Sequence, residues 1–245
     1  MTNIQTSQTA KTGQAIRPIF IPNRETIGVI EQDISFDWYM GMSKVVRQRS
    51  VKSLHEKAAG QGFCNILEAS SKSEQAIGLY LSAFFLKDEE GIPVENLFQS
   101  SKVFEDGGPF LDLKSRFVAP RDAKKDERLR KHGEMTEFRF NGQSFPLEPK
   151  SLFYDWLYIK TLFGCDNNTD LKNEFVDSCF DAFSDIEFNP KKSFSCQART
   201  LALVASLHLH ESIRDFIYNP VRMAQEFLLY RKSASNNSPE QPRLL

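Results

Sequence analysis

The sequence predicts an α+β fold in a single domain that is mostly helical, with the helices around a small mixed or antiparallel sheet. Three observations lead to this expectation. The 245 residues suffice for one large buried core. Apolar runs at helical spacing outnumber short alternating runs, and no low-complexity linker divides the chain. Because phenylalanine supplies 21 residues, we expect a core built largely on phenyl rings.

Polar ends flank this domain. Residues 1–16 lack the apolar centre of a secretory signal, and residues 233–245 are polar with two prolines. We therefore predict flexible tails at 1–16 and 233–245 and place the domain at 17–232. No run approaches the roughly 18 apolar residues that a membrane span requires, so a cytoplasmic protein without membrane contact is expected.

Local signals place the elements of the first half. A serine cap opens one helix. A proline opens another, which a Gly-Gly-Pro stretch ends. In chain order, the expected elements are extended segments at residues 17–22 and 36–39, a helix from Ser43 to about Ala59, strands at 63–69 and 77–86, and a helix from Val94 to Phe104.

The second half contains a hairpin and long helices. Polar and apolar residues alternate on both sides of Asn141-Gly142, which is the strongest short-range signal for a hairpin. In chain order, the expected elements are loop and short helix at residues 114–131, a hairpin at 137–147, a helix from Ser151 to Phe163, an apolar segment at 171–180, a turn at 189–192 and a long helix from about Cys196 to Tyr218.

The charges are segregated although the net charge is only −1. Eight basic against three acidic residues give the segment 114–131 a charge of +5, and residues 44–57 form a smaller basic cluster. Basic patches of this size suit phosphate-rich partners, although a solvated face that binds nothing has the same composition. The cations predicted to contact DNA are Lys124, Lys125, Arg128 and Arg130.

Cysteines and histidines give no sign of a metal site. The four cysteines are widely spaced, without a Cys-x-x-Cys pair. His208 and His210 are two residues apart, so on a helix their side chains point about 200° apart. We expect free thiols, no metal and no cofactor.

Glu95, Gln99 and Lys102 form the candidate reaction centre. On one helix their positions fall within about 60° of each other. A carboxylate, an amide and an amine on one face can carry out acid–base catalysis, orientation and nucleophilic attack. A surface Glu–Lys pair that brackets a glutamine has the same spacing, so the residues alone leave both interpretations open.

A series of motifs resembles one family. The stretch from Gly78 to Phe84, followed by Glu95-x-x-Phe98-Gln99-x-x-Lys102, is similar to the signature of the NADAR family, the NAD- and ADP-ribose-associated domains with a YbiA-like fold. More specifically, the chain resembles the NADAR antitoxins that are paired with DarT-type DNA ADP-ribosyltransferase toxins. That resemblance rests on residues 67–73, 99–110, 146–159 and 181–199, and it covers about Arg17 to Ala205.

The resemblance implies an N-glycosidic hydrolase. Its branch would remove ADP-ribose from guanine in DNA and so reverse the modification made by the toxin. The implied partners are ADP-ribosylated DNA and the cognate DarT-type toxin. Two alternatives stay open: an N-glycosidase for small phosphoribosylated intermediates of the riboflavin pathway, and a non-catalytic module that shelters modified DNA or caps the toxin.

The resemblance also implies roles for residues. Glu95 would be the acid/base and Gln99 would orient the sugar hydroxyls, while Lys102 would trap the ring-opened sugar as a Schiff base if burial lowers its pKa. Asp185 would be a second catalytic acid. Lys72 would bind the pyrophosphate or act as the nucleophile itself, unless it is a solvated loop lysine.

Seven further residues are candidate substrate contacts or neighbours of the reaction centre. Two aromatic residues either stack on a base or pack in the core, and a buried arginine needs either the pyrophosphate or a structural carboxylate. An asparagine precedes Lys191 and Lys192 in a turn that can hold a phosphate. The candidates are Gly78, Ser82, Phe84, Tyr154, Trp156, Asn189 and Arg199. The wider family has an asparagine where this chain has Ala83.

Overall fold

The fold starts with a long antiparallel ribbon. β1 (Thr12–Pro22) pairs with β2 (Val29–Tyr39) along all of its eleven residues. Helix α1 (Lys44–Ala59) packs against β2. The hydroxyls of Ser50 and Ser53 on α1 accept the N–H groups of Tyr39 and Asp37 at 3.0 and 3.1 Å. The helix thereby satisfies N–H groups that an edge strand would otherwise leave exposed.

The computed structural model describes residues 12–190, 193 and 195–230. Because β1 begins at Thr12, residues 12–16 belong to the sheet, and their placement in the N-terminal tail was wrong. Pairing with β2 satisfies the backbone groups of these residues, and their polar composition does not reveal such pairing. The rest of that tail, and the predicted tail at 233–245, lie outside the described residues.

A mixed sheet and an antiparallel sheet form the β part of the fold. Two short strands, β3 (Ile66–Glu68) and β7 (Ala182–Ser184), complete the first sheet. The strand order in this sheet is β2-β1-β7-β3, and β3 and β7 run parallel to each other. Their carboxyl ends therefore lie at the same edge of the sheet, and the residues that follow both strands are brought together there.

The second sheet confirms the predicted hairpin. Its strands β4 (Lys102–Phe104), β5 (Met135–Phe140) and β6 (Gln143–Phe145) pair in sequence order. Asn141 and Gly142 connect the last two with φ angles of 48° and 80°. Two positive φ angles in a two-residue connection match the twist of the paired strands, which is why Asn-Gly is favoured there.

The helices confirm the α+β class, with the sheets among them. Ser43 caps α1 as predicted, since its hydroxyl accepts the N–H of Val46 at 3.3 Å. After α1, the described helices are α2 (Ala76–Tyr80), α3 (Val94–Ser100), α4 (Pro120–Lys125), α5 (Leu152–Gly164), α6 (Thr169–Asp177), α7 (Gln197–Leu209), α8 (Ile213–Tyr218) and α9 (Pro220–Glu226). Short 3₁₀ turns lie at Leu111–Leu113, Glu127–Arg130 and Asp166–Asn168.

Phenyl rings fill the main core, as expected. Phe153 of α5 is fully buried, and its ring centre lies 4.5 Å from that of Phe138 and 5.0 Å from that of Phe145. α5 thus packs on the three-stranded sheet through stacked and tilted aromatic contacts. A second core, beneath α1, contains Ile34 and Leu54.

Three predicted elements differ in the structure. Residues 77–86 form α2 and turns, not a strand, because a short apolar run suits either state and tertiary packing decides. The helix that opens at Val94 ends at Ser100, since the following residues pair with β5 as β4. The last long helix is broken after Leu209, where Glu211 adopts a φ of 55°.

Candidate active site

A cleft of about 950 Å³ opens at the edge where β3 and β7 end, and α3 and α4 form its other side. Most of the predicted site residues line it, although they come from distant parts of the chain. The lining residues that the sequence predicted are Lys72, Ser82, Phe84, Glu95, Gln99, Lys102, Lys124, Lys125, Arg130, Tyr154, Asp185 and Asn189.

Glu95 and Gln99 lie on α3 as their spacing predicted. Each is only 5% exposed, and the Gln99 Nε2 donates to Glu95 Oε1 at 2.8 Å. The Glu95 N–H donates to the carbonyl of Ala83 at 2.9 Å, which ties the start of the helix to the preceding turn. Gln99 Oε1 is buried without a partner among the described residues. A buried acceptor without a hydrogen bond costs about 1–3 kcal/mol in folding free energy, and a ligand hydroxyl that donates to Gln99 Oε1 would remove this cost.

Lys102 reaches the cleft from a different element than predicted. Lys102 is the first residue of β4, so the prediction that it shares a helical face with Glu95 and Gln99 was wrong. Its Nζ lies 4.9 Å from the centre of the Phe98 ring. Burial lowers the pKa of Lys102 to about 8, while Glu95 raises it and Lys124 lowers it further. At pH 7 about one tenth of the amine is therefore uncharged, far more than in an ordinary lysine, and the uncharged form is the one that nucleophilic attack requires.

Lys124 belongs to the reaction centre as well as to the basic segment. Its Nζ on α4 lies 3.5 Å from Glu95 Oε1 and 5.7 Å from the centre of the Phe84 ring. The sequence placed Lys124 among the DNA contacts, and this ion pair places it beside the carboxylate of Glu95 as well. The exposed Lys125 and Arg130 line the same side of the cleft.

Arg128 is engaged within the protein. Its guanidinium donates to Asp112 at 2.6 Å and to Asp126 at 2.9 Å, and it does not line the cleft. These two carboxylates raise the pKa of Arg128, and the arginine lowers theirs. Arg128 therefore joins the 3₁₀ turn before α4 to the one after it, and its predicted contact with DNA stays a prediction.

Asp185 anchors the opposite side of the cleft. Its Oδ1 accepts the N–H groups of Glu187 and Phe188 at 3.0 and 3.2 Å. Gln197 donates to Asp185 Oδ2 at 3.0 Å and accepts the N–H of Ala83 at 2.7 Å. Burial, and then repulsion from Glu68, raise the pKa of Asp185. Gln197, to which the sequence assigned no role, thus links both sides of the site.

A buried network supports the loop that carries Lys72. Glu68 Oε1 accepts the hydroxyl of Ser70 at 2.5 Å, and Glu68 Oε2 accepts that of Ser184 at 2.6 Å. Since the Ser184 hydroxyl is donated to Glu68, the Nε2–H of His55, at 2.8 Å, donates to Ser184. Burial lowers the pKa of His55 to about 4, so the imidazole is neutral at pH 7. Sequence reasoning missed this network because its members are distant in the chain.

Three polar or aromatic candidates complete the lining. The phenol of buried Tyr154 keeps its proton because burial raises its pKa well above the ordinary value, and its ring meets Phe98 edge-on at 5.2 Å. The Ser82 hydroxyl donates to the carbonyl of Leu79 at 2.7 Å. Asn189 lies at the cleft, whereas Lys191 and Lys192 of its predicted turn fall outside the described residues.

Comparison with known families agrees with this geometry. A family model described as the DarT1-associated NADAR antitoxin matches residues 15–239, which include every described element that lines the cleft. The chain belongs to this family. The resemblance seen in the motifs is thereby confirmed, as is the antitoxin role. A search of curated proteins returned no match.

Three predicted contacts of this NADAR antitoxin lie outside the cleft. Trp156 is a core residue whose Nε1 donates to the carbonyl of Ile217 at 2.9 Å. Arg199 pairs with Asp155 at 3.4 Å and with Glu31 at 3.2 Å, so its anion is a structural carboxylate.

Gly78 serves packing. A Cβ there would stand 2.2 Å from the carbonyl oxygen of Glu68, so only glycine lets α2 approach β3 this closely. The predictions of direct substrate contact for Gly78, Trp156 and Arg199 are corrected accordingly.

Two negative observations concern the described residues of the antitoxin. Within 12–190, 193 and 195–230, no three His, Cys, Asp or Glu residues are grouped so that they could hold a metal ion. No helix in these ranges has the length and apolar character needed to cross a bilayer.

Proposed function

We propose that this antitoxin hydrolyses the N-glycosidic bond between ADP-ribose and guanine in DNA, and so reverses the modification made by its DarT-type toxin. The meeting of Glu95, Gln99 and Lys102 in one cleft supports the proposal. At about 950 Å³ the cleft is at the upper end of the range for small-molecule sites, which suits a ligand as large as ADP-ribose.

The side chains suit cleavage of a ribosyl C1″–N bond. Breaking that bond builds positive charge on the ribose, and the buried Glu95 carboxylate stabilises it. Gln99, whose Oε1 has no partner in the described part of the chain, accepts a sugar hydroxyl. The departing guanine nitrogen takes up a proton, which Asp185 can supply because its pKa is raised. Water adds to C1″ and completes the hydrolysis.

Lys102 offers a covalent route to the same products. In the ring-opened sugar, an imine joins C1″ to the guanine nitrogen. The neutral Lys102 amine adds to C1″, its two protons pass to the guanine nitrogen, and guanine leaves as its bond to C1″ breaks, so that a Schiff base joins Lys102 to C1″. Water then hydrolyses the lysine Schiff base to free ADP-ribose and regenerates the amine. The lowered pKa of Lys102 favours this residue. Lys72 lines the same cleft and remains the alternative nucleophile.

The test is release of free ADP-ribose from oligonucleotides modified on guanine or on thymine. We expect release from the guanine conjugate and none from the thymine conjugate. No release from guanine at stoichiometric protein contradicts the proposal. Activity only on phosphoribosylated small molecules would select the small-molecule N-glycosidase, and tight binding of modified DNA without release would select the non-catalytic module.

Borohydride trapping identifies the nucleophile. Added during turnover, it reduces a Schiff base, and peptide mapping then locates the sugar adduct. We expect the adduct on Lys102. An adduct on Lys72 moves the nucleophile to the loop after β3. No adduct, together with full activity of Lys102→Ala, leaves Glu95 acting through water alone.

A further inference from the structure

Phe117 is an exposed aromatic residue within the basic segment 114–131. It is 86% exposed and lies in the loop between the 3₁₀ turn at Leu111–Leu113 and α4. The guanidinium of its neighbour Arg116 lies 5.0 Å from the ring centre. One face of a phenyl ring therefore carries a cation, and the side chain contributes little to the core.

The loop that carries Phe117 is held by the same helix that presents Glu95. Asn96 is fully buried, and its amide donates to the carbonyls of Leu113, Ser115 and Val118 at 3.2, 3.2 and 2.9 Å. The N–H of Phe117 also donates to the Ser115 hydroxyl at 3.2 Å. These bonds fix the backbone of the loop relative to α3, and with it the point from which the Phe117 side chain projects.

Cations of the basic segment precede and follow this ring in the chain. Among the described residues, no carboxylate lies within ion-pair distance of Arg116, Arg121, Lys125 or Arg130. Arg121, Lys125 and Arg130 line the cleft itself. An exposed aromatic ring on a fixed loop, in one segment with free cations, is the combination that binds single-stranded nucleic acid, since the cations follow the phosphates and bases stack on the ring.

We propose that Phe117 is a stacking platform for a base that flanks the modified nucleotide, with Arg116 and the cations of α4 on the adjacent phosphates. The inference rests on the proposed DNA substrate and adds a contact outside the cleft. Bringing an ADP-ribosylated base into the cleft takes it out of the stack. Its neighbour then loses a stacking partner, which the Phe117 ring replaces.

The test is binding of a single-stranded oligonucleotide, measured by fluorescence anisotropy without any modification on the DNA. We expect Phe117→Ala to weaken binding about 10-fold, since one stacked base contributes roughly 1–3 kcal/mol. Phe117→Trp keeps the platform and should bind within about 2-fold of the unchanged protein. The matched control is Tyr218→Ala. Tyr218 is 70% exposed and also carries an arginine, Arg214, 5.7 Å from its ring centre, but it belongs to α8, which packs mainly on α5, α7 and α9.

The outcomes test the stacking platform separately from the proposed hydrolase activity. Equal binding by Phe117→Ala and the unchanged protein, equal losses in Phe117→Ala and Tyr218→Ala, or no binding by the unchanged protein overturns the stacking platform. If Phe117→Ala weakens binding of the purified toxin but not of DNA, the stacking platform is overturned too, in favour of a protein-binding surface. Release of ADP-ribose by the unchanged protein is scored separately. The hydrolase proposal can therefore hold when the stacking platform is overturned. The stacking platform can hold when Phe117→Ala weakens DNA binding but the unchanged protein releases no ADP-ribose.

Discussion

Glu95 takes its properties from neighbours on two helices. Gln99, one turn along α3, donates to its carboxylate, and Lys124 of α4 places an ammonium 3.5 Å away. Because Glu95 is 5% exposed, these contacts are screened by water far less than surface pairs are. The carboxylate is thereby held in one orientation, as a group that stabilises charge in a transition state must be.

Replacing Glu95 tests that role directly. Glu95→Gln keeps the shape and removes the charge, so we expect release of ADP-ribose from modified DNA to fall about 100-fold or more. Binding of free ADP-ribose, measured by calorimetry, should change little, because the lost interaction is made mainly in the transition state. The control is Glu226→Gln, an exposed carboxylate on α9. Unchanged turnover in Glu95→Gln would remove Glu95 from the chemistry.

The lowered pKa of Lys102 predicts a pH dependence of the rate. The proposed nucleophile is the neutral amine, so activity should rise as the pH passes about 8. About one tenth of the amine is neutral at pH 7 and nine tenths at pH 9, so the expected gain across that interval is about 10-fold. Lys102→Met should lose both the rise and the borohydride adduct. A rise that persists in Lys102→Met but disappears in Lys72→Met would assign the nucleophile to Lys72.

α3 joins the chemistry of the cleft to the loop on its other side. This seven-residue helix presents Glu95 and Gln99 to the cleft, and Asn96 points to the loop at 113–118. Such a short helix is not stable by itself, so packing and these side-chain contacts hold it in place. The proposed catalytic groups and the proposed stacking platform therefore share one support.

Removal of the Asn96 amide should be costly. Asn96→Ala leaves buried carbonyl groups of the loop without their donor, and we expect a loss of about 2–4 kcal/mol in the free energy of unfolding, measured with urea. Limited proteolysis should then cut within 113–118. Asn167→Ala is the matched control. The Asn167 amide also donates to a carbonyl, that of Asp88 at 2.8 Å, but it is exposed. A loss no larger than that of the control would show that the loop holds its position without Asn96.

At the scale of the whole molecule, the charge is arranged around the cleft. The chain has a net charge of −1, yet α4 and the 3₁₀ turn after it line the cleft with unpaired cations. Arg47 of the smaller basic cluster also lines the cleft, paired with Glu187 at 3.7 Å. A nearly neutral protein thus presents a positive surface at the cleft, where the proposed DNA substrate would enter.

Salt dependence measures how many of these cations contact phosphates. We expect the double variant Arg121→Gln, Arg130→Gln to bind single-stranded DNA more weakly and to reduce the slope of log K against log salt concentration by about 1.4, or roughly 0.7 for each lost contact. The control, Arg214→Gln with Arg222→Gln, makes the same charge change on α8 and α9. Equal reductions in both variants would indicate general attraction and no defined path for the DNA.

Local signals in the sequence determined the parts of the fold that depend on neighbours in the chain. The Ser43 cap, the hairpin turn at Asn141-Gly142 and the helix after Pro149 follow from side chains within a few residues. The pair Glu95 and Gln99 was likewise readable, since an i, i+4 spacing is a local property of a helix. The family motifs pointed to the same residues.

Tertiary structure alone decided the contacts between distant segments. Lys102 became a strand residue because β5, more than thirty positions later, offers it a partner. Lys124 meets Glu95, and Gln197 meets Asp185 and Ala83, through packing that no local pattern encodes. Arg199 pairs with the structural carboxylate of Asp155 for the same reason. Sequence spacing fixes which side chains share a face, but which faces meet depends on burial across the whole core, and that is a property of the folded chain.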